Sequence, residues 1–255
     1  MIQASATAHR PSIERGEPAE LAERVAALLI QERRSRPERP LGLATGRTME
    51  PVYGALARQL RALPPLERIA LREGWLSFNL DEYVGISPTD PRSFTAFMAG
   101  WLLEPLGLAP DQVRLPDGLA PDPSAEAKRY GAAVTAAGGI GLQLLGLGQN
   151  GHVAFNEPPS AVDAPCRVVR LCDSTRQHNA PDLRGGHEMP ELAISLGLAE
   201  ILAADHILLV VIGSAKAEVL GRAFRDSPSP ELPASWLQLH PAVTLFADRE
   251  ALGDL

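Results

Sequence analysis

Residues 149–157 read Gln-Asn-Gly-His-Val-Ala-Phe-Asn-Glu, directly after an apolar run. A histidine gains or loses a proton near neutral pH. Glu157 lies five residues beyond His152, so a tight loop can fold its carboxylate back onto the imidazole. That contact would orient the ring and stabilise its charged form. A histidine with a purely structural role is the alternative. In "FNLDEYVG" a second apolar run stops at Asp81 and Glu82. A carboxylate there can serve as a general base, or simply cap a helix or a surface turn. In "ATGRTMEP" a strand-like run meets a helix-like one at Thr45, Gly46, Arg47 and Thr48. Free N–H groups at a helix start favour an anion such as phosphate; a plain turn with Thr48 as N-cap is the alternative. Finally, Lys128 and Lys216 are the only lysines in a chain whose other basic residues are arginine. A lysine kept in such a chain suggests a site that wants a compact ammonium rather than a planar fork.

These groups need a frame. Residues 41–45, 75–80, 140–148, 206–213 and 241–248 are short apolar runs that read as strands. Helical periodicity marks 18–34, 49–63, 93–106, 124–139 and 214–226 between them. The alternation predicts one α/β domain over residues 1–255, a doubly wound, mostly parallel, Rossmann-like sheet with helices on both faces. Ligands of such sheets bind beyond the carboxyl ends of the strands. Gly46-Arg47-Thr48, Asp81-Glu82, Asn150-Gly151-His152 and Ser214-Ala215-Lys216 all follow strands, and are expected to converge on one crevice.

Composition narrows the partners. Formal net charge is −7, with 45% hydrophobic and 22% charged residues, so a generally basic nucleic-acid footprint is missing. Cys166 and Cys172 read as free thiols rather than a disulfide framework. The N-terminal residues show no apolar signal region, and no apolar run reaches the length of a membrane span. The reading is therefore cytoplasmic, with neither membrane nor nucleic-acid partner. His9, His178, His187, His206 and His240 lack metal-ligand spacing, and the absence of GxSxG leaves a serine hydrolase unsupported.

Over residues 20–250 the stretches "LGLATGRT", "FNLDEYVG", "DPRSFTAFM", "LLGLGQNGHVAFNEP", "GSAKAEVL" and "PASWLQLH" resemble, in order, the glucosamine-6-phosphate deaminase (isomerase) family. The larger group includes 6-phosphogluconolactonases. The resemblance implies Asp81 as the base between C2 and C1, and His152 as the ring-opening group supported by Glu157. It implies Lys216 and Thr45–Thr48 as phosphate contacts, with no metal and no organic cofactor. The implied partner is an amino sugar phosphate. A galactosamine-6-phosphate isomerase, a 6-phosphogluconolactonase, or a sugar-phosphate-binding regulatory module without activity are the rivals.

Three departures stand out. Asn150 occupies a position often held by aspartate; an amide can orient a ring but adds no charge, which shifts that burden to Glu157. The family's phosphate-binding arginine would fall near Pro181, leaving Arg47 or Arg184 as substitutes. Residues 160–190, a mobile lid and in some members an allosteric site, match weakly; Arg167 is present without much of the basic cluster. The expectation is a monomer rather than a hexamer, without allosteric activation.

Overall fold

The apolar runs at 140–148 and 206–213 become the middle of a parallel sheet. The computed structural model describes residues 8–179, 189–253 and 255. In chain order its strands are β1 Ser12–Arg15, β2 Leu41–Leu43, β3 Ser77–Asn79, β4 Asp81–Tyr83, β5 Val113–Arg114, β6 Leu142–Gly146, β7 Arg167–Arg170, β8 Leu192–Ser195, β9 His206–Val211 and β10 Val243–Ala247. Seven form a sheet in the order β1-β10-β9-β6-β2-β3-β5. Every pairing in it is parallel. β9 is buried from Ile207 to Val211, so both faces of the sheet are covered there.

The helices are α1 Pro18–Ser35, α2 Glu50–Ala62, α3 Pro65–Glu73, α4 Phe94–Met98, α5 Glu104–Leu106, α6 Pro123–Ala136, α7 Asp173–Asn179, α8 Leu198–Leu202, α9 Ala217–Arg225 and α10 Arg249–Leu252. In α1 a proline near the N-terminus starts the helix, and Leu21, Val25 and Leu29 repeat every four residues as a fully buried stripe. The helix expected over 93–106 is interrupted by a π-helical turn, Ala99–Leu103. Pro105 follows it; proline has no N–H and its ring crowds the carbonyl of Trp101, so the chain widens rather than continuing as α-helix.

A second sheet was not legible in the sequence. β4, β8 and β7 form an antiparallel trio in that order. The "DEY" that was expected merely to stop a strand is itself a strand, carried by a different sheet. Leu80 sits at the junction: its N–H donates to Leu43 O at 3.0 Å, and Leu196 N–H donates to Leu80 O at 2.7 Å. A small core of Tyr83, Ile86, Phe155, Val169, Leu171, Met189 and Ala193 lies under this trio, with Phe94 packed against it. Among the described residues no helix is long and apolar enough to cross a membrane.

Candidate active site

The carboxyl ends of β2, β3, β6 and β9 open on a cleft of about 560 Å³, where open α/β sheets bind ligands. Thr45, Gly46, Arg47, Thr48, Asp81, Asn150, His152 and Lys216 all line it. Glu157 does not; it stands behind the imidazole, with Oε2 3.4 Å from His152 Nδ1. The convergence expected of the strand ends is therefore met, with Glu157 one layer back.

The loop after β6 is shaped around the imidazole. Gly148 N–H donates to His152 O at 2.9 Å, and Gly151 N–H to Gly148 O at 3.0 Å, closing a tight turn. Gly151 has φ 87°, a conformation that favours glycine. A Cβ on Gly148 would lie 2.3 Å from His152 Nε2, so the bare backbone is the floor under the ring. Asn150 does not touch the ring through its side chain. Its Oδ1 accepts from His152 N–H at 3.2 Å, and its Nδ2 donates to Glu157 Oε2 at 2.5 Å. The expectation that the amide orients the ring is corrected: Asn150 pins the backbone and aims the carboxylate. Burial pushes Glu157 up, but the contact with His152 and the bonds from Thr175 and Asn150 outweigh it and hold Glu157 at about 2. Glu157 is thus ionised across the neutral range, a fixed negative charge behind the imidazole.

Asp81 is 5% exposed. Burial, and then the neighbouring Glu82 charge, raise its pKa well above the ordinary carboxylate range. A carboxylate so placed is a stronger base than one in water. Glu82, expected in the same crevice, turns the other way. Successive strand side chains point to opposite faces: Asp81 and Tyr83 line the cleft, whereas Glu82 reaches the N-terminus of α4. For Glu82 the capping alternative holds.

At the cleft's other wall, Gly46 has φ 100° and an unobstructed approach. Met49, not Thr48, takes the N-cap position of α2, and it makes no side-chain cap. Lys216 ends a 3₁₀ turn after β9, and its Nζ donates to Leu147 O. Burial lowers its pKa. An ammonium has three donors, so one carbonyl leaves capacity for a ligand. Among the described residues no group of three or more His, Cys, Asp or Glu is arranged to hold a metal.

Residues given no role from sequence also form the cleft: Arg92, Ser93, Phe94 and Phe97 on one side, Ser174, Thr175 and Met189 on another. The signal for the first group was present in "DPRSFTAFM", where a serine precedes a helix as an N-cap. Ser93 Oγ does accept from Thr95 N–H at 3.0 Å. No comparable pattern marks the second group. Arg167 donates to Asn156 Oδ1 at 2.8 Å and Ser160 Oγ at 3.2 Å, bracing the loop that carries Glu157. Pro181, Arg184 and His187, in the 180–188 part of the expected 160–190 lid, lie outside the described residues, whereas β7 and α7 occupy the part before it.

Fold and site together define an α/β protein whose ionisable side chains gather in a cleft at the strand ends of a parallel sheet. The family model for glucosamine-6-phosphate isomerases/6-phosphogluconolactonase matches residues 17–246, and the chain belongs to that family. It is 39% identical over 233 residues to a glucosamine-6-phosphate deaminase of Geobacillus sp. (strain WCH70), covering 91% of each chain. With one from Rhodopirellula baltica it shares 40% over 228 residues, 89% of each. Among solved structures it superposes on a monomeric glucosamine-6-phosphate deaminase at TM-score 0.88 and 34% identity, covering 94% of this chain and 98% of the other. The 6-phosphogluconolactonase of Trypanosoma cruzi shares the fold at TM-score 0.76 and 21% identity, with 97% and 98% covered.

Proposed function

We propose that the chain converts glucosamine 6-phosphate and water to fructose 6-phosphate and ammonia, residues 1–255 acting as one sugar-phosphate domain. The observation that carries this reading is the meeting of Asp81 with the His152–Glu157 pair and the 45–48 loop around one cleft. The backbone amides of Thr45–Thr48 and the Lys216 ammonium hold the phosphate, and Arg47 in the same wall adds a guanidinium. Fixing the phosphate orients the sugar for reaction.

The substrate is mostly a closed ring, and its C2 proton becomes acidic only when C1 is a carbonyl. His152 takes the O1 proton and delivers one to O5, which opens the ring. The passing imidazolium is stabilised by Glu157, which Asn150 aims. Asp81 then removes the C2 proton, giving an enediol-like species, and returns it to C1. C2 becomes an imine, and water replaces its nitrogen to give the ketone and ammonia. The likeness to a monomeric deaminase supports a monomer, which sedimentation would check.

The test is ammonia and fructose 6-phosphate release from glucosamine 6-phosphate, beside Asp81→Asn and His152→Gln. The wild type should release both and each variant should lose roughly 10²–10⁴-fold. A wild type that releases no ammonia overturns the reading. Turnover of a sugar lactone spared by Asp81→Asn would instead indicate lactone hydrolysis, which has no use for a C2 base.

A further inference from the structure

Glu82 is 3% exposed and carries no role in the chemistry above, yet it is among the most heavily bonded side chains near the cleft. Its Oε1 accepts from Tyr83 N–H at 2.8 Å and Phe94 N–H at 3.0 Å. Its Oε2 accepts from Ser93 Oγ at 2.7 Å, and from Thr95 N–H and Thr95 Oγ1 at 2.8 Å each. Helix capping alone does not explain this. Ser93 already caps α4, accepting from Thr95 N–H at 3.0 Å and Ala96 N–H at 3.4 Å. What Glu82 adds is a tie between two walls. Asp81 and Tyr83 on β4 form one; Arg92 and Ser93 ahead of α4, with Phe94 at its first position, form the other.

We infer that Glu82 is a positioning residue for the Asp81 base, a buried carboxylate brace that locks β4 to the start of α4 and so fixes where Asp81 meets the substrate carbon. The inference rests on Asp81 being the C2 base. A carboxylate is required because every bond it makes is an accepted one. A glutamine would turn an NH₂ toward either two backbone N–H groups or a set that includes Thr95 N–H, and neither arrangement satisfies it. Asp81 and Glu82 are neighbours on one strand, so a loosened brace moves the base itself. Displacing a reacting group by about 1 Å can cost about 10²-fold in rate.

Charge gives a second readout, since the Glu82 carboxylate also raises Asp81's proton affinity. The other titratable or charged groups lining the cleft are Arg47, Glu50, Tyr83, Arg92, His152 and Lys216, and the buried Tyr130 couples to Asp81 from α6. On Glu82's far side a separate cavity carries Arg114, Asp117 and Arg129. None of these is altered by the variants below.

Glu82→Gln in the full chain, assayed by ammonia release, is expected to lower kcat by roughly 10–100-fold with KM changed by less than about threefold. The acidic limb of its kcat profile should move to lower pH. Thr95→Val removes one hydroxyl bond and keeps all three backbone N–H donors. It lines the separate cavity rather than the active cleft, and should lower kcat several-fold at unchanged KM. A folded Glu82→Gln with kcat within twofold of wild type and an unmoved acidic limb overturns the brace. If Glu82→Gln does not fold, Thr95→Val decides: unchanged kcat overturns it, a several-fold loss at constant KM supports it. An inactive wild type would instead refute the proposed reaction, so the two failures are distinguishable.

Discussion

Replacing Gly148 by alanine is expected to cost the ring-opening step far more than it costs folding or binding. The new methyl would lie 2.3 Å from His152 Nε2, 2.4 Å from Cε1 and 2.5 Å from Cδ2. Ordinary contacts between heavy atoms lie near 3.5 Å, so the ring must withdraw by roughly an ångström. Any withdrawal changes its contacts or turns it further into the cleft that it lines. Glu157 Oε2 stands 3.4 Å from Nδ1, and the Phe155 ring packs beside it at 6.4 Å between centroids. A misplacement of this size costs about 10²-fold in kcat, or about 2.7 kcal/mol of barrier. KM should stay within about threefold, because the three atoms nearest the new methyl all belong to His152 rather than to the phosphate contacts proposed above, the 45–48 loop and Lys216. The assay is steady-state ammonia release from glucosamine 6-phosphate, with a thermal melt to show that the variant is folded. A folded Gly148→Ala with kcat within about threefold of wild type would refute the claim that bare backbone seats the imidazole.

Asp81→Asn should lose roughly 10²–10⁴-fold in turnover and yet raise the melting temperature at neutral pH. In the folded chain Asp81 holds its proton above the pH at which an unfolded aspartate, near 3.9, has lost it. Folding stability therefore falls as pH rises from about 4 through the raised folded value, and asparagine removes that loss; equal melting curves from pH 4 to 8 would count against it. Asn150→Asp should weaken this chain. It sets a carboxylate against Glu157, where the amide now donates at 2.5 Å. The lost charge-assisted bond should cost about 1.5–3 kcal/mol in denaturant unfolding at neutral pH, recovering as acid restores a shared proton. Gly54→Ala on α2 meets only Arg58 Nη1, at 3.6 Å, and should stabilise the fold by about 0.5–1 kcal/mol, with kcat unchanged.

Much of the large sheet was legible because buried parallel strands are written as unbroken apolar runs, as in "LQLLG" and "HILLVV". The loops that follow them were legible for the same reason, since polar residues after such runs must lie at the strand ends. β1 escaped notice because "SIER", a mostly exposed edge strand, carries no apolar run. β4 and β7 were missed because "DEY" and "RVVR" set charged residues where an apolar run would mark a strand, and β8 pairs with both across long stretches of chain. Glu82 was misread for a related reason. Sequence places it beside Asp81, but the alternation of a strand sends the two carboxylates to opposite faces. Asn150 shows a further limit: the residue type suggested contact with the ring, while the geometry routes it through Glu157.

The junction at Leu80 divides the chemistry between two pieces of scaffold. The 45–48 loop and the imidazole, the proposed anion cradle and ring-opening group, ride on the parallel sheet, whereas Asp81, the proposed base, rides on the antiparallel trio. Such a division allows the two to diverge independently. A lineage can keep the grip on a phosphorylated sugar and the histidine loop while the small sheet is rewritten, trading isomerisation for another reaction on a similar molecule.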